Sequence, residues 1–487
     1  MYTVMPKLYG CGFRMTSEGW AGITTGETRM DQTRTLVRFL ARLDRDAIPD
    51  AVIARARIHV LDTIGVAIGG SQAIHAKQAL ATIAALGTPG HNTVIASAMT
   101  TSVLEAAFLN GVMAHSIDFD DAHKFVHAGC VVVPTALAFA QATNASAQNF
   151  LVAVIAGYEA SVRLSLAGGP SHRARGFHPT GTCNVVGAAI AAGLLLGLNE
   201  DQLVSAVGIA CSQAAGLTQY RIDGAATKHL HAGFAARSGG FAALLAQNGI
   251  RGPEAAIEGE VGFLKAFADE VDPDALVRGL GEIFAIAQTD IKPFPSCRQT
   301  HAPVDLMLKL IAAHNLDFDQ IEGVELATYK YIDKPWHTGT EPPGSALEAM
   351  LNIPYCLASA AANGRLTLKD FEPEALQDPR VLSLMTRTAI TFDEALTARW
   401  PGERGAILRL DTPLGRFESQ ARNPRGGVDE PVEWTEALTK FHGLADPVLG
   451  PDKARTIAQA IATMPDSGGL TALLAALSGP DRAAQAA

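Results

Sequence analysis

The run His115-Ser116-Ile117-Asp118-Phe119-Asp120-Asp121-Ala122-His123, followed by His127, gathers three carboxylates and three imidazoles into a short span. It closes an apolar stretch, Val103 to Val112, whose pattern predicts a helix that buries the run beside a core. Burial moves the pKa values of carboxylates and imidazoles toward neutrality, where they can pass protons to and from carbon or oxygen. The residue types are those of acid–base machinery. Two other readings fit the same residues. Asp120 and Asp121 can act as an N-cap pair in a turn. His123 and His127, four apart, have the spacing of two metal ligands on a helix face. Against that, the glutamate after the first histidine of H-E-x-x-H is missing, and Cys130 makes a poor third ligand.

Three further polar knots lie far apart in the chain. Arg173-Ala174-Arg175-Gly176-Phe177-His178-Pro179-Thr180 precedes an apolar helix, so the imidazole and a helix N-terminus can face one anion. Lys228-His229-Leu230-His231 sits before the small-residue run Phe234-Ala235-Ala236, where a lysine would be partly desolvated. Lys292-Pro293-Phe294-Pro295-Ser296-Cys297-Arg298-Gln299-Thr300-His301 sets a guanidinium and an imidazole at a change in sequence character. Each knot alone is as readily a surface loop.

The elements that must hold these knots are mostly helices up to about Gln288. Pro49-Asp50 opens an amphipathic helix through Ile68 that stops at Gly69-Gly70, and Asn199-Glu200-Asp201 opens another. Beyond Gly323 the pattern alternates instead. Gly323 to Tyr329, Gly405 to Leu410 and Arg416 to Ser419 read as strands, the last two joined by the turn signal Thr412-Pro413-Leu414-Gly415. Trp434 to Leu444 and Asp452 to Met464 return to helical periodicity. The expected division is an extension over 1–30, a helical domain over 31–288, an α+β domain over 289–427 and helices over 428–475 that rejoin the first domain. Met15 and Met30 are alternative starts.

Composition narrows the partners. With 487 residues the chain exceeds one ordinary core, and a composition 48% hydrophobic, 6% aromatic and 18% charged suits closely packed small-residue helices. A formal net charge of −10, with no block of basic residues, argues against nucleic acid. The uncharged stretches Ala128 to Tyr158 and Thr180 to Leu198 contain Pro134, Gln141, Asn144, Gln148 and Asn184, and read as buried helices rather than membrane spans. The six cysteines are scattered without C-x-x-C spacing, which points away from a disulfide framework or structural zinc and toward a reducing compartment. No apolar signal core occupies the first thirty residues, so a cytoplasmic setting is expected.

In order and approximate spacing the four knots resemble the MmgE/PrpD family, which includes 2-methylcitrate dehydratase, cis-aconitate decarboxylase and iminodisuccinate epimerase. The resemblance runs from about Leu36 to Pro447. It takes in Leu61-Asp62-Thr63-Ile64-Gly65, Asn110-Gly111, Ile257-Glu258-Gly259 with Gly262-Phe263, and Lys292-Pro293-Phe294-Pro295 through His301. It implies a mainly α fold, with a large all-helical domain and a smaller α+β lid domain, in a homodimer without metal or organic cofactor. By position Asp118, His127, His178, Lys228 and His301 match the family's active-site residues, and Tyr331 corresponds to its lid tyrosine. Lys228, Arg298, His123 and Tyr331 are the candidates for binding substrate. Ala122 departs from the family, standing where several decarboxylases and dehydratases carry threonine. The loop from Asp121 to His127 is also about one residue shorter than in the animal decarboxylase.

The implied chemistry agrees with the residue types. A substrate with two or three carboxylates needs cations, which Lys228 and Arg298 can supply, the guanidinium in bidentate fashion. Loss of a proton or of carbon dioxide beside a carboxylate needs the enolate-like charge stabilised, with imidazoles as base and acid. The expected activity is a cofactor-independent lyase, a dehydratase or decarboxylase of a small di- or tricarboxylate. Epimerisation of an amino-dicarboxylate such as iminodisuccinate is the close alternative. A non-catalytic or metal-dependent helical binding protein is the alternative of a different class.

Overall fold

A computed structural model describes residues 31–464 and 469–479. The extension expected over 1–30 lies outside the described residues.

Long apolar helices form the first layer of architecture: α1 (Asp50–Gly70), α2 (Val103–Ala114), α3 (Gly129–Thr143), α4 (Ala147–Ala174), α5 (Asn184–Leu195) and α6 (Thr227–Gln247). Their starts follow the capping rules. Ser102 accepts from the Glu105 amide and Ser146 from the Asn149 amide, each satisfying an N–H that has no helical partner. Helix α6 packs on both α2 and α5 because small residues let their backbones approach. A Cβ on Gly111 would sit 3.2 Å from both the Ala232 carbonyl oxygen and the Gly233 Cα. By length and composition α4 could cross a membrane, but its apolar window is 94% buried inside the fold. Near its end α4 breaks at Gly169, whose φ of 58° only glycine adopts freely, and Pro170 restarts the helix in a new direction toward Arg173.

The α+β domain carries a four-stranded sheet of β1 (Gly323–Thr328), β2 (Thr388–Phe392), β3 (Ala406–Thr412) and β4 (Gly415–Ala421), in the order β2-β1-β3-β4. Strand β1 runs parallel to β2, with Leu326 opposite Ile390, and antiparallel to β3, with Leu326 opposite Leu408. Alternation in β3 sends Leu408 and Leu410 inward, where they meet the helix α7 (His301–His314). The hairpin between β3 and β4 turns where Gly415 takes a φ of 121°, as the turn signal predicts. Strand β2 has no counterpart in the sequence reading. It is a largely exposed edge strand, so it lacks the in–out alternation that betrays the others.

Two hydrophobic cores result. One is built from helices α1 to α6 and from Val432, Phe441, Ile457 and Leu473, and the other from residues between Phe294 and Leu410, α7 included. The helix α8 (Trp434–Leu449) thus belongs to the first core despite following the sheet in sequence, with Phe441 seated against Gly65 of α1. The fold is mainly α, with a smaller α+β domain.

Candidate active site

The acidic run begins where α2 ends. His115 is the C-cap of that helix, and the chain beyond it turns inward, with His115, Asp118, Asp120 and Asp121 all buried. Asp118 holds a left-handed backbone conformation (φ 49°), which asparagine and aspartate tolerate better than other side-chain-bearing residues. Its carboxylate meets Lys228 Nζ at 3.0 Å through Oδ2 and Lys292 Nζ at 2.6 Å through Oδ1. Burial alone would raise the Asp118 pKa, but Lys228 and then Lys292 outweigh it and hold the carboxyl well below its usual range. Lys228, at the start of α6, is also buried. There burial works against its charge, yet Asp118 and then Asp120 keep its pKa above the ordinary lysine value.

Asp120 organises the imidazoles. His115 Nδ1 lies 2.7 Å and His127 Nδ1 3.3 Å from its Oδ2. His127 Nδ1 also lies 2.7 Å from the Asp121 carbonyl oxygen, an acceptor only, so Nδ1 carries the hydrogen. Nε2 of His115 is buried without a hydrogen-bond partner. His127 is the more accessible ring, its side chain 16% exposed. Burial lowers the His115 pKa more than Asp120 raises it. For Asp120, burial pushes upward, but His115 and His127 keep its carboxyl well below the ordinary range. The pair therefore stands as a carboxylate receiving N–H donors, with imidazole lone pairs left over for proton transfer.

Asp121 turns the other way and fixes the frame. Its Oδ1 accepts from the Gly129 amide at the N-terminus of α3 (3.0 Å). Its Oδ2 accepts from the Tyr158 hydroxyl and lies 2.9 Å from His59 Nδ1. Gly129 must be glycine here, because a Cβ would come within 2.6 Å of the Thr63 and Tyr158 oxygens. Neither Asp120 nor Asp121 acts as an exposed N-cap pair.

The remaining predicted residues divide. His178 joins the cluster: its ring stacks 5.8 Å from His115, and its Nδ1 lies 2.9 Å from His231 Nδ1. Burial holds the His178 pKa well below the usual histidine value. Tyr331 stands across the cleft on the α+β domain, stacked at 4.3 Å on Trp400 and lining the same cavity as Arg173. His301 is buried with both ring nitrogens engaged, Nδ1 with Arg298 at 3.3 Å and Nε2 with the Ser296 carbonyl at 3.1 Å.

Arg298 does not form the anticipated anion clamp. Its Nε donates to Asp290 at 2.9 Å, Nη1 to the Arg425 carbonyl at 2.7 Å and Nη2 to the Pro424 carbonyl at 3.1 Å, so every guanidinium nitrogen is committed within the protein. His123 also departs from its expected place. It lines a separate cavity with Asp290 and Arg404, and burial pulls its pKa down to about 4. His123 and His127 do not share a helix, because the chain between them forms a small turn closed by the His123 and Val126 backbones. The His, Asp and His that lie close enough to share an ion are His115, Asp120 and His127. Their contacts run through the Nδ1 atoms onto one carboxylate oxygen, while Asp120 Oδ1 and His115 Nε2 are buried without a hydrogen-bond partner.

Lys292 and His115 carry as much of the site as any residue predicted, yet sequence reasoning gave neither a role. Lys292 lies inside a motif that was read for its arginine and histidine. A lysine flanked by Ile291 and Pro293 at an apolar junction was the available signal. The described cysteines, Cys130, Cys183, Cys211, Cys297 and Cys356, are all free thiols.

Fold and site define a helical protein with an α+β companion domain and a buried cluster of carboxylates, imidazoles and lysines. The MmgE/PrpD N-terminal domain matches residues 34–276 and the MmgE/PrpD C-terminal domain residues 294–466; the chain belongs to this family. It is 28% identical over 481 residues to a cis-aconitate decarboxylase-like protein, oryM, of Aspergillus oryzae, covering 94% of this chain and 99% of that protein. It is 26% identical over 472 residues to the cis-aconitate decarboxylase of Aspergillus terreus, covering 92% and 96%. The human cis-aconitate decarboxylase is 26% identical over 459 residues, covering 89% and 92%. Family and relatives together support a lyase-type function.

Proposed function

We propose that this protein is a lyase that removes carbon dioxide or water from a small polycarboxylate by proton transfer beside a carboxylate, without a cofactor. The observation that carries the reading is the sharing of buried Asp120 by His115 and His127, next to the Asp118–Lys228–Lys292 cluster. Relatives named as cis-aconitate decarboxylases support the same class.

In a decarboxylation the bond to the departing carboxylate breaks, carbon dioxide leaves, and its electron pair is taken up as enolate-like charge on a neighbouring carboxylate. Lys228 and Lys292 lie where that charge can be balanced. A protonated His127 delivers a proton to carbon, and its neutral form regains one from solvent. Asp120 holds its Nδ1 in place through that cycle. In a dehydration the same ring takes the proton from carbon while a second imidazole protonates the leaving hydroxyl.

Proton NMR in deuterium oxide with cis-aconitate, citrate, 2-methylcitrate and iminodisuccinate tests the reading. Conversion of at least one is expected, with deuterium placed on carbon where carbon dioxide is lost and a C–H lost to solvent where water is eliminated. Exchange without net product would favour epimerisation, and inertness toward all four by the folded protein would remove the proposal.

A further inference from the structure

The inner site is electrically balanced. Asp118 and Asp120 stand against Lys228 and Lys292, and the buried rings of His115 and His178 have pKa values lowered by burial. A substrate with two or three carboxylates must therefore find further positive charge. Arg298, the guanidinium at the domain junction, is already committed to Asp290 and two carbonyls.

One cation beside the site is left over. Arg173 follows the kink at Gly169 in α4, and its Nε is buried with no hydrogen-bond partner. The groups that act on it most strongly are the hydroxyls of Tyr331 and Tyr220 and the Cys297 thiol, Tyr331 also through a side-chain hydrogen bond, and no carboxylate is among them. The side chain is half-buried, but a guanidinium that keeps a buried N–H unpaired and has no anion among its nearest groups is suited to a ligand that supplies the missing charge. The surroundings connect it to the chemistry. Tyr220 lies edge-on to His178 at 5.4 Å, and Cys297 is within electrostatic reach of Asp118, Lys228 and Arg173 alike. On the outer side Arg173 opens onto a cavity of about 550 Å³ that Arg221, Lys330 and Lys334 also line, and no aspartate or glutamate does. In a chain of net charge −10, four cations around one cleft form a local field that draws anions.

We propose that Arg173 binds the outermost carboxylate of a tricarboxylate substrate, within a cation-lined vestibule that leads to the imidazole cluster. Tyr331, reaching from the α+β domain to the same cavity, stands where it can close over the bound carboxylate. Arg173 thereby sets the preference for three carboxylates over two. This rests on the lyase reading above and adds to it the residue that selects the substrate.

Calorimetry on the full chain tests it, with propane-1,2,3-tricarboxylate and glutarate as inert probes and Arg173→Gln and Arg173→Lys as variants. Arg173→Gln should bind the tricarboxylate at least ~10-fold more weakly, as expected for a lost hydrogen bond between charged groups, and glutarate within ~3-fold of the parent. On cis-aconitate, or whichever substrate the parent converts, KM should rise while kcat stays within ~3-fold, because the contact is made equally in ground and transition states. Arg173→Lys keeps the charge without the fork and should fall between parent and glutamine variant. If the glutamine variant does not fold, the lysine variant decides, and it must still lose at least ~3-fold on the tricarboxylate. Unchanged affinity, or equal loss for both probes, overturns the role of Arg173 while leaving the lyase reading in place. A parent that neither binds nor converts any polycarboxylate overturns both.

Discussion

Lys292 holds Asp118 at two points, its Nζ donating to the carboxylate Oδ1 at 2.6 Å and to the backbone carbonyl at 2.8 Å. One side chain from the domain junction thus fixes both the charge and the left-handed backbone of the acidic run. Replacing Asp118 by Asn removes the anion and leaves two buried ammonium groups facing each other. A loss of roughly 3–5 kcal/mol is expected, as for other broken buried pairs. Urea unfolding of D118N should show it, and a midpoint equal to the parent's would contradict the buried cluster.

His127→Asn should behave differently. The ring is the accessible member of its cluster and packs less tightly than its neighbours, so the melting temperature should hold within a few degrees. Turnover should fall by about 100-fold or more, the usual worth of a positioned acid or base. Turnover near the parent's on a substrate that the parent converts would remove His127 from the proton path.

Arg298→Met should cost stability rather than affinity. It leaves Asp290 with Arg404 alone, 3.6 Å away, and frees the carbonyls of Pro424 and Arg425, which amounts to about 3 kcal/mol. Calorimetry should give substrate binding unchanged for whatever fraction remains folded. Selective loss of affinity in a fully stable variant would restore the clamp role.

Acid should weaken the fold before the carboxylates titrate. Burial lowers the pKa values of His123, His172 and His337 to about 4, below their ordinary value of 6.5. Between those values the unfolded chain binds protons that the folded chain refuses. Stability is therefore complete above pH 6.5 and falls as pH drops toward 4. The Asp118 and Asp120 contributions are lost in the same direction but in a lower window, only below the ordinary carboxylate pKa of 3.8. The urea midpoint should decline from pH 6.5 to 4.5, and His337→Gln should flatten the slope by about one proton. A midpoint constant over that interval would show that these rings take up protons without unfolding.

Metal content discriminates the binding-protein alternative. Elemental analysis of the purified chain should find no stoichiometric transition metal, and dialysis against EDTA should leave turnover intact. Stoichiometric metal that EDTA removes along with activity would assign His115, Asp120 and His127 to an ion.

The helices were legible because each announces itself locally. Pro49-Asp50 starts α1, and Asn199 with Gln202 forms the capping box that its spacing implies. The hairpin at Thr412 to Gly415 was legible for the same reason. The site was legible only in part. Residue types and order brought out Asp118, His127, His178 and Lys228, which the fold gathers into one cluster. Arg298 and His123 look equally functional in sequence, yet Asp290 lies beside both. Which cation a carboxylate captures depends on contacts between residues far apart in the chain. For the same reason Arg173 gave no hint of keeping a buried guanidinium N–H unpaired beside the site.

Lys440 gives the C-terminal part of the chain a say in the chemistry. From α8 its Nζ reaches Asp62 at 2.7 Å, the Phe119 carbonyl at 2.7 Å and the Lys292 carbonyl at 3.0 Å, so it straps both the acidic run and the lysine that holds Asp118. During synthesis the acidic run leaves the ribosome more than 300 residues before this strap. The nascent chain can therefore build most of its helical body while these groups remain unassembled, and the acidic run is locked only once the strap has emerged.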